Sequence, residues 1–241
     1  MADAVTSQTL LDTEKKAIFK FTNISDSTGE ADVKKIDVST LTWAKHTITL
    51  SGAASPNFKI GEVLTVGAEK YLVTGFTAGA STVTVVGWDN TNKKATAIDA
   101  SSSGSDAVSG GVSGSNTRTY SSIAELDFEL LVTKIMWITN GLQVKIEWDG
   151  SSTEAVIAEL SGNGMWSMPV NELPGIPNNA TGDSGAVLGD IQFTTTDRDD
   201  ATDTYTIIME CKKQAPGYDI PQYEQNSILG YPVDFKLGNF T

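Results

Sequence analysis

One cysteine and one histidine occur in 241 residues. The lone Cys211 excludes an intramolecular disulfide framework and leaves too few thiolates for a cysteine-rich zinc site. It sits in "TYTIIMECKK", where a buried small apolar side chain is expected, and it fits folding in a reducing cytoplasm. Basic residues are also scarce, 17 against 30 acidic ones for a net charge of -13. A nucleic-acid groove needs clustered Lys and Arg, so nucleic acid is not an expected partner. No apolar run approaches the roughly 20 residues that span a bilayer, and the opening "MADAVTSQTLLDTEKK" lacks the basic start and apolar stretch of a signal peptide. The expectation is a product of the cytoplasm with no membrane partner.

Helix signals are few: "SQTLLDTEKKA", where Ser7 could cap a first turn, and "SSIAELDFEL", which reads equally as a strand. Strand signals fill the rest. "AIFKFTNI", "VKKIDV", "HTITL", "VLTVG", "KYLVTGF", "STVTVVGW", "TKIMWIT", "LQVKIEW", "DIQFTTT" and "TYTIIMEC" are short, β-branched and aromatic, and are bounded by Gly, Asn, Asp or Ser. The fold expected is all-β.

Composition divides the chain. Residues 43–98 hold close-spaced strands with Gly-containing turns, expected to close into a small inserted β-barrel. Residues 99–117, "DASSSGSDAVSGGVSGSNT", are too poor in apolar side chains to pack and are expected as a linker or surface loop. Residues 1–42 and 118–215 are then one discontinuous β-sandwich. From residue 216 the period is lost, and Tyr218, Tyr223, Leu229, Tyr231, Phe235 and Phe240 lie among prolines and glycines. Apolar groups on an aperiodic tail need a surface, either this chain's own sandwich or a neighbouring subunit. These six are the candidate partner contacts.

Two constellations invite catalytic or metal readings. His46, Asp89 or Asp99, and Ser184 in "GDSGA" follow the chain order of chymotrypsin-like proteases, with the backbone of Gly182 and Ser184 as an oxyanion hole. Against this, His46 starts a strand pattern and "GDSGA" ends in Ala within a small-residue connection. Asp197, Asp199, Asp200 and Asp203 could offer oxygen ligands to Ca²⁺. "DRDDATD" lacks the Gly and Glu of an EF-hand loop, and Arg198 stands inside it. The expectation there is a solvated acidic turn joining "DIQFTTT" and "TYTIIMEC" as antiparallel strands. Trp137, Trp148 and Trp166 could form a sugar platform, but Trp137 and Trp148 sit in strong strand patterns that favour the core.

The order of "VKKIDVSTL" (33–41), "TKIMWITNGLQVKIEWDG" (133–150) and "GDIQFTTTDRDDATDTYTIIMECKK" (189–213) resembles that of small virion structural proteins of tailed phages of marine bacteria, cyanophages among them. The resemblance covers about half of the chain. It implies a jelly-roll-like antiparallel β-sandwich, without enzymatic activity, cofactor or metal, that assembles in many copies on a particle. The expected role is a capsid decoration or cement protein, a homo-oligomer whose partners are other virion proteins and whose arms are the first dozen residues and 216–241. Alternatives are a tail or neck component and, in a different class, a host-surface or carbohydrate-binding module using the insert.

Overall fold

A computed structural model describes residues 5–51, 58–77, 79–98, 107–109, 118–125, 129–150, 153–168, 175–180, 189–196, 200–214 and 217–218. The chain begins with strands β1 (Thr6–Asp12), β2 (Lys16–Ile24) and β3 (Val33–Ile36), then a single 3-10 turn at Val38–Thr40. A second group comprises β4 (His46–Leu50), β5 (Val63–Val66), β6 (Glu69–Phe76), β7 (Thr82–Asp89), β8 (Lys94–Thr96), β9 (Ala107–Ser109) and β10 (Arg118–Glu125). The last is β11 (Glu129–Asn140), β12 (Gln143–Trp148), β13 (Ala155–Leu160), β14 (Asn163–Ser167), β15 (Ile191–Thr196) and β16 (Thr204–Gln214). No α-helix occurs among the described residues.

Strands of the first and last groups form two layers. One sheet has the order β1-β2-β16-β11-β14 and the other β13-β12-β15-β3. Four antiparallel pairs are nested along the chain: β2 with β16, β3 with β15, β11 with β14, and β12 with β13. A long antiparallel ribbon wrapped so that its successive pairs alternate between layers is the jelly roll. The all-β class expected from the strand pattern is the one observed, and its layers form an antiparallel sandwich like the one the resemblance implied.

Alternation decides which side chains meet between the layers. Phe19, Phe21, Ile135, Ile207, Met209 and Cys211 project from the five-stranded sheet, and Ile36, Val144, Ile146, Trp148, Ile191 and Phe193 from the other, all into one core. Phe193 joins the layers, its ring 5.0 Å from Phe21 and 6.1 Å from Tyr205, both edge-on. Each such pair contributes about 0.5–1.5 kcal/mol beyond simple burial.

This topology corrects the expected hairpin at 189–213. β15 pairs with β12 and β3, whereas β16 pairs with β11 and β2, so the two strands lie in opposite layers. Both have an apolar face, and Phe193 and Tyr205 meet across the core rather than across a ladder. The turn is not wholly solvated either: Asp203 is buried, its carboxylate packed over Gly141, while Asp197 and Asp199 lie outside the described residues. Asn140-Gly141, a dipeptide typical of tight hairpins, likewise crosses between layers from β11 to β12.

The second group makes the insert. Its sheet runs β4-β10-β9-β5-β6-β7-β8, and β4 also pairs with β7, which curls the sheet into a barrel around Ile48, Leu64, Val66, Tyr71, Val73 and Val85. The expected boundaries shift: β9 lies within the segment read as linker, and β10 pairs with β4 and β9, so the barrel continues to residue 125. Composition missed this because three paired residues suffice for β9 amid a Ser/Gly-rich stretch.

Both ends of the chain depart from the arm expectation where they are described. Residues 6–12 are not helical; they line the edge of β2 as β1, because that edge satisfies backbone groups along the whole segment while an isolated helix of this length is marginal. Tyr218 is fully buried, donates its hydroxyl to Val38 O at 3.1 Å, and bridges Ala44 through the backbone. Its surface is this chain's own sandwich, so it is not a free partner contact. Beneath its ring, 5.2 Å away, lies the buried Lys213 ammonium, which donates to Asp12 and to Thr42 O. Burial lowers the Lys213 pKa, and the Asp12 bond opposes that shift.

Candidate docking surface

Strand β11 contains the run Ile135-Met136-Trp137-Ile138, apolar at both parities. A strand with one solvated face alternates, so such a run places apolar groups on both faces of its sheet. Ile135 enters the core, and Trp137 packs against it over Gly164, where a Cβ would lie 2.4 Å from Trp137 Cζ2. The indole Nε1 donates to Ser161 O at 3.2 Å. Met136 and Ile138 point the other way.

Register carries the outward residues across the sheet. Met136 stands between Met165 and Ile208, and Ile138 between Asn163 and Thr206. These side chains form a shallow trough on the outer face of the five-stranded sheet. Ile138 is 64% exposed, Met165 61% and Ile24 52%. Among the described side chains the same face carries Lys16, Lys20, Lys134 and Lys212 against one carboxylate, Glu210, which pairs with Lys16 at 3.6 Å. In a chain of net charge -13, a sheet face with this excess of cations is a local inversion of sign.

The outer face of the four-stranded sheet has the opposite character. Carboxylate oxygens of Asp32, Glu147 and Glu154 lie within 4.8 Å of one another, and exposed Glu159 stands opposite Lys145 in the register. Lys145 Nζ lies 2.9 Å from Glu147 Oε2, and Lys34 Nζ 2.6 Å from Asp190 Oδ2. The Glu147 bond raises the Lys145 pKa, and the Asp190 bond raises that of Lys34. Burial, with Asp190 beside it, pushes the Asp149 carboxyl up. Lys145 already holds a cationic charge against Glu147, so these acids form negative surface rather than an ion cage. The exposed apolar residue among them is Val156, at 54%.

The residues singled out in the sequence for chemistry do not converge where they are described. His46 is buried on β4, its Nδ1 3.3 Å from Ala44 O, and burial lowers its pKa. Asp89 instead caps the exposed turn after β7, accepting from Thr91 N, Asn92 N and Asn92 Nδ2. Asp99, Gly182 and Ser184 lie outside the described residues. Cys211 is fully buried, as its strand pattern suggested, and burial pushes its thiol far above the usual range. Trp148 is in the core and Trp137 and Trp166 pack against it, so the three do not make a sugar platform.

Of the candidate partner contacts, Tyr223, Leu229, Tyr231, Phe235 and Phe240 lie outside the described residues. The outer-face residues Met136, Ile138, Met165 and Ile208 were not among the candidates. The signal for Met136, Ile138 and Ile208 was present in the unbroken apolar runs "IMWI" and "II", which demand two apolar faces.

No family model and no curated protein matches the chain. Among solved structures the comparison returns one titled as the complete structure of manganese lipoxygenase of Gaeumannomyces graminis and partial structure of zonadhesin of Komagataella pastoris, at 9% identity over 90% of this chain and 84% of that chain. The TM-score is 0.14, which carries no argument about fold or function.

Proposed function

We propose that this chain is a non-enzymatic structural protein of a tailed-phage particle, a capsid decoration or cement protein that stabilises a shell through many small contacts. The observation that carries this reading is the apolar and basic outer face of the five-stranded sheet, with Ile138 and Met165 more than half exposed. A monomer gains nothing from presenting such a face, whereas a component docked in an array buries it. The jelly roll recurs in viral capsid domains, which is support by fold analogy alone.

Lectin domains share the jelly roll, but the insert gives little support to a sugar-binding role. Its Phe58 and Tyr71 lie in its own core, and the indole nitrogen of Trp88 is buried. The test is immunogold labelling of purified particles with an antibody to this chain. Label spread over the shell is the expected result; label confined to one vertex or the tail would move the protein to the neck or tail. Particles free of label would overturn the reading.

A further inference from the structure

We infer that the outer face of the five-stranded sheet docks onto the outer face of the four-stranded sheet of a second copy of this chain, so that copies assemble head to tail. This rests on the proposal of a multi-copy structural role and names the partner of its docking face.

Charge selects the occupant. The donor face presents Lys20 and Lys134 around Met136, Ile138, Met165 and Ile208. The receiving face presents Asp32, Glu154 and Glu159 around exposed Val156, with the Lys145–Glu147 pair beneath. One is apolar with a basic rim and the other acidic with an apolar centre, and they lie on opposite sides of one rigid sandwich. Complementary potentials of this kind set register and reject wrong pairings. Two donor faces brought together would oppose lysines to lysines, so an isologous contact is disfavoured. A contact between unlike faces is heterologous and propagates into rings or arrays.

Size sets the strength. Five strands about 4.8 Å apart, each contributing about six residues at about 3.3 Å, offer a face on the order of 500 Å². A standard stable interface buries about 800 Å² on each partner. Each contact is therefore weak, and an array of them is firm.

The test uses the full chain in two charge-reversed forms, Lys20→Glu with Lys134→Glu on the donor face, and Glu154→Lys with Glu159→Lys on the receiving face. All four positions are on the surface, and circular dichroism verifies that both forms fold. In sedimentation velocity at about 0.15 M salt, where the screening length is about 8 Å, the wild type is expected to associate with rising concentration. Each reversed form alone should associate at least about tenfold more weakly, because like charges then face each other. An equimolar mixture should recover association, since each reversed face meets its complement. A wild type that stays monomeric at millimolar concentration, association untouched by the Glu154/Glu159 reversal, or a mixture that fails to recover would each overturn the inference. Label on particles from a chain that stays monomeric would retain the virion reading while removing this contact; association as expected with no label on particles would do the reverse.

Discussion

The connection from β11 to β12 and the described end of the connection into β16, residues 200–203, meet where the Asp203 carboxylate packs over Gly141, and a double-mutant cycle tests that junction. Gly141 has φ +75, and a Cβ there would lie 1.8 Å from Asp203 Oδ1. Alanine in the left-handed region costs about 1–2 kcal/mol. Expelling the carboxylate, which is buried and accepts from Asp200 N at 3.3 Å, costs about 1–2 kcal/mol more. Gly141→Ala should therefore destabilise by about 2–4 kcal/mol, and Asp203→Ala by about 1–2 kcal/mol. In the double variant the clash is gone and the carboxylate is lost only once. Its cost should again be about 2–4 kcal/mol, short of the sum by about 1–2 kcal/mol. Urea unfolding followed by far-ultraviolet circular dichroism, with m unchanged, measures all four corners. Additivity within about 0.5 kcal/mol would refute the packing of Asp203 on Gly141. It would return Asp203 to the set of free loop acids from which a calcium site could be built.

Truncation after Gln214 should destabilise the sandwich by about 3–5 kcal/mol more than truncation after Tyr218, because only the shorter chain loses the fully buried ring and its bond to Val38 O. Tyr218→Phe, which removes the hydroxyl alone, should cost about 1 kcal/mol in the same urea assay. For His46 the folded pKa is lowered by burial, so the unfolded chain takes up the proton first. The stability this group contributes is complete above about pH 6.5 and is lost as pH falls toward the folded value. His46→Gln should flatten the difference in urea midpoint between pH 7.5 and 5.5; an unchanged difference would show that the imidazole is not desolvated.

Much of the architecture was legible because an alternating strand states which of its faces is buried. "AIFKFTNI" and "TYTIIMEC" became β2 and β16 with Phe19, Phe21, Tyr205, Ile207 and Met209 inside. The insert was visible as a cluster of short strands with its own turns. The exposed apolar face of the five-stranded sheet was legible only in part, since "IMWI" announces two apolar faces without saying which will be covered. Tyr218 was misplaced because an isolated aromatic in an aperiodic tail carries no period from which its burial follows.

Sequence by itself determined that this chain is all-β in class, acidic and nearly free of cysteine and histidine, with a cluster of short strands set inside a longer strand pattern. These properties are local sums: composition, turn residues and the two-residue period act within a few positions of each other. Only the tertiary structure decided that β15 and β16 face each other across the core, that Lys213 lies buried beside Asp12, and that basic and acidic surface separate onto opposite sheets. Backbone donors and acceptors are the same at every strand edge, so local pattern does not select a partner strand. Partner choice follows from closing one apolar core with every strand accounted for, and that condition is a property of the whole chain.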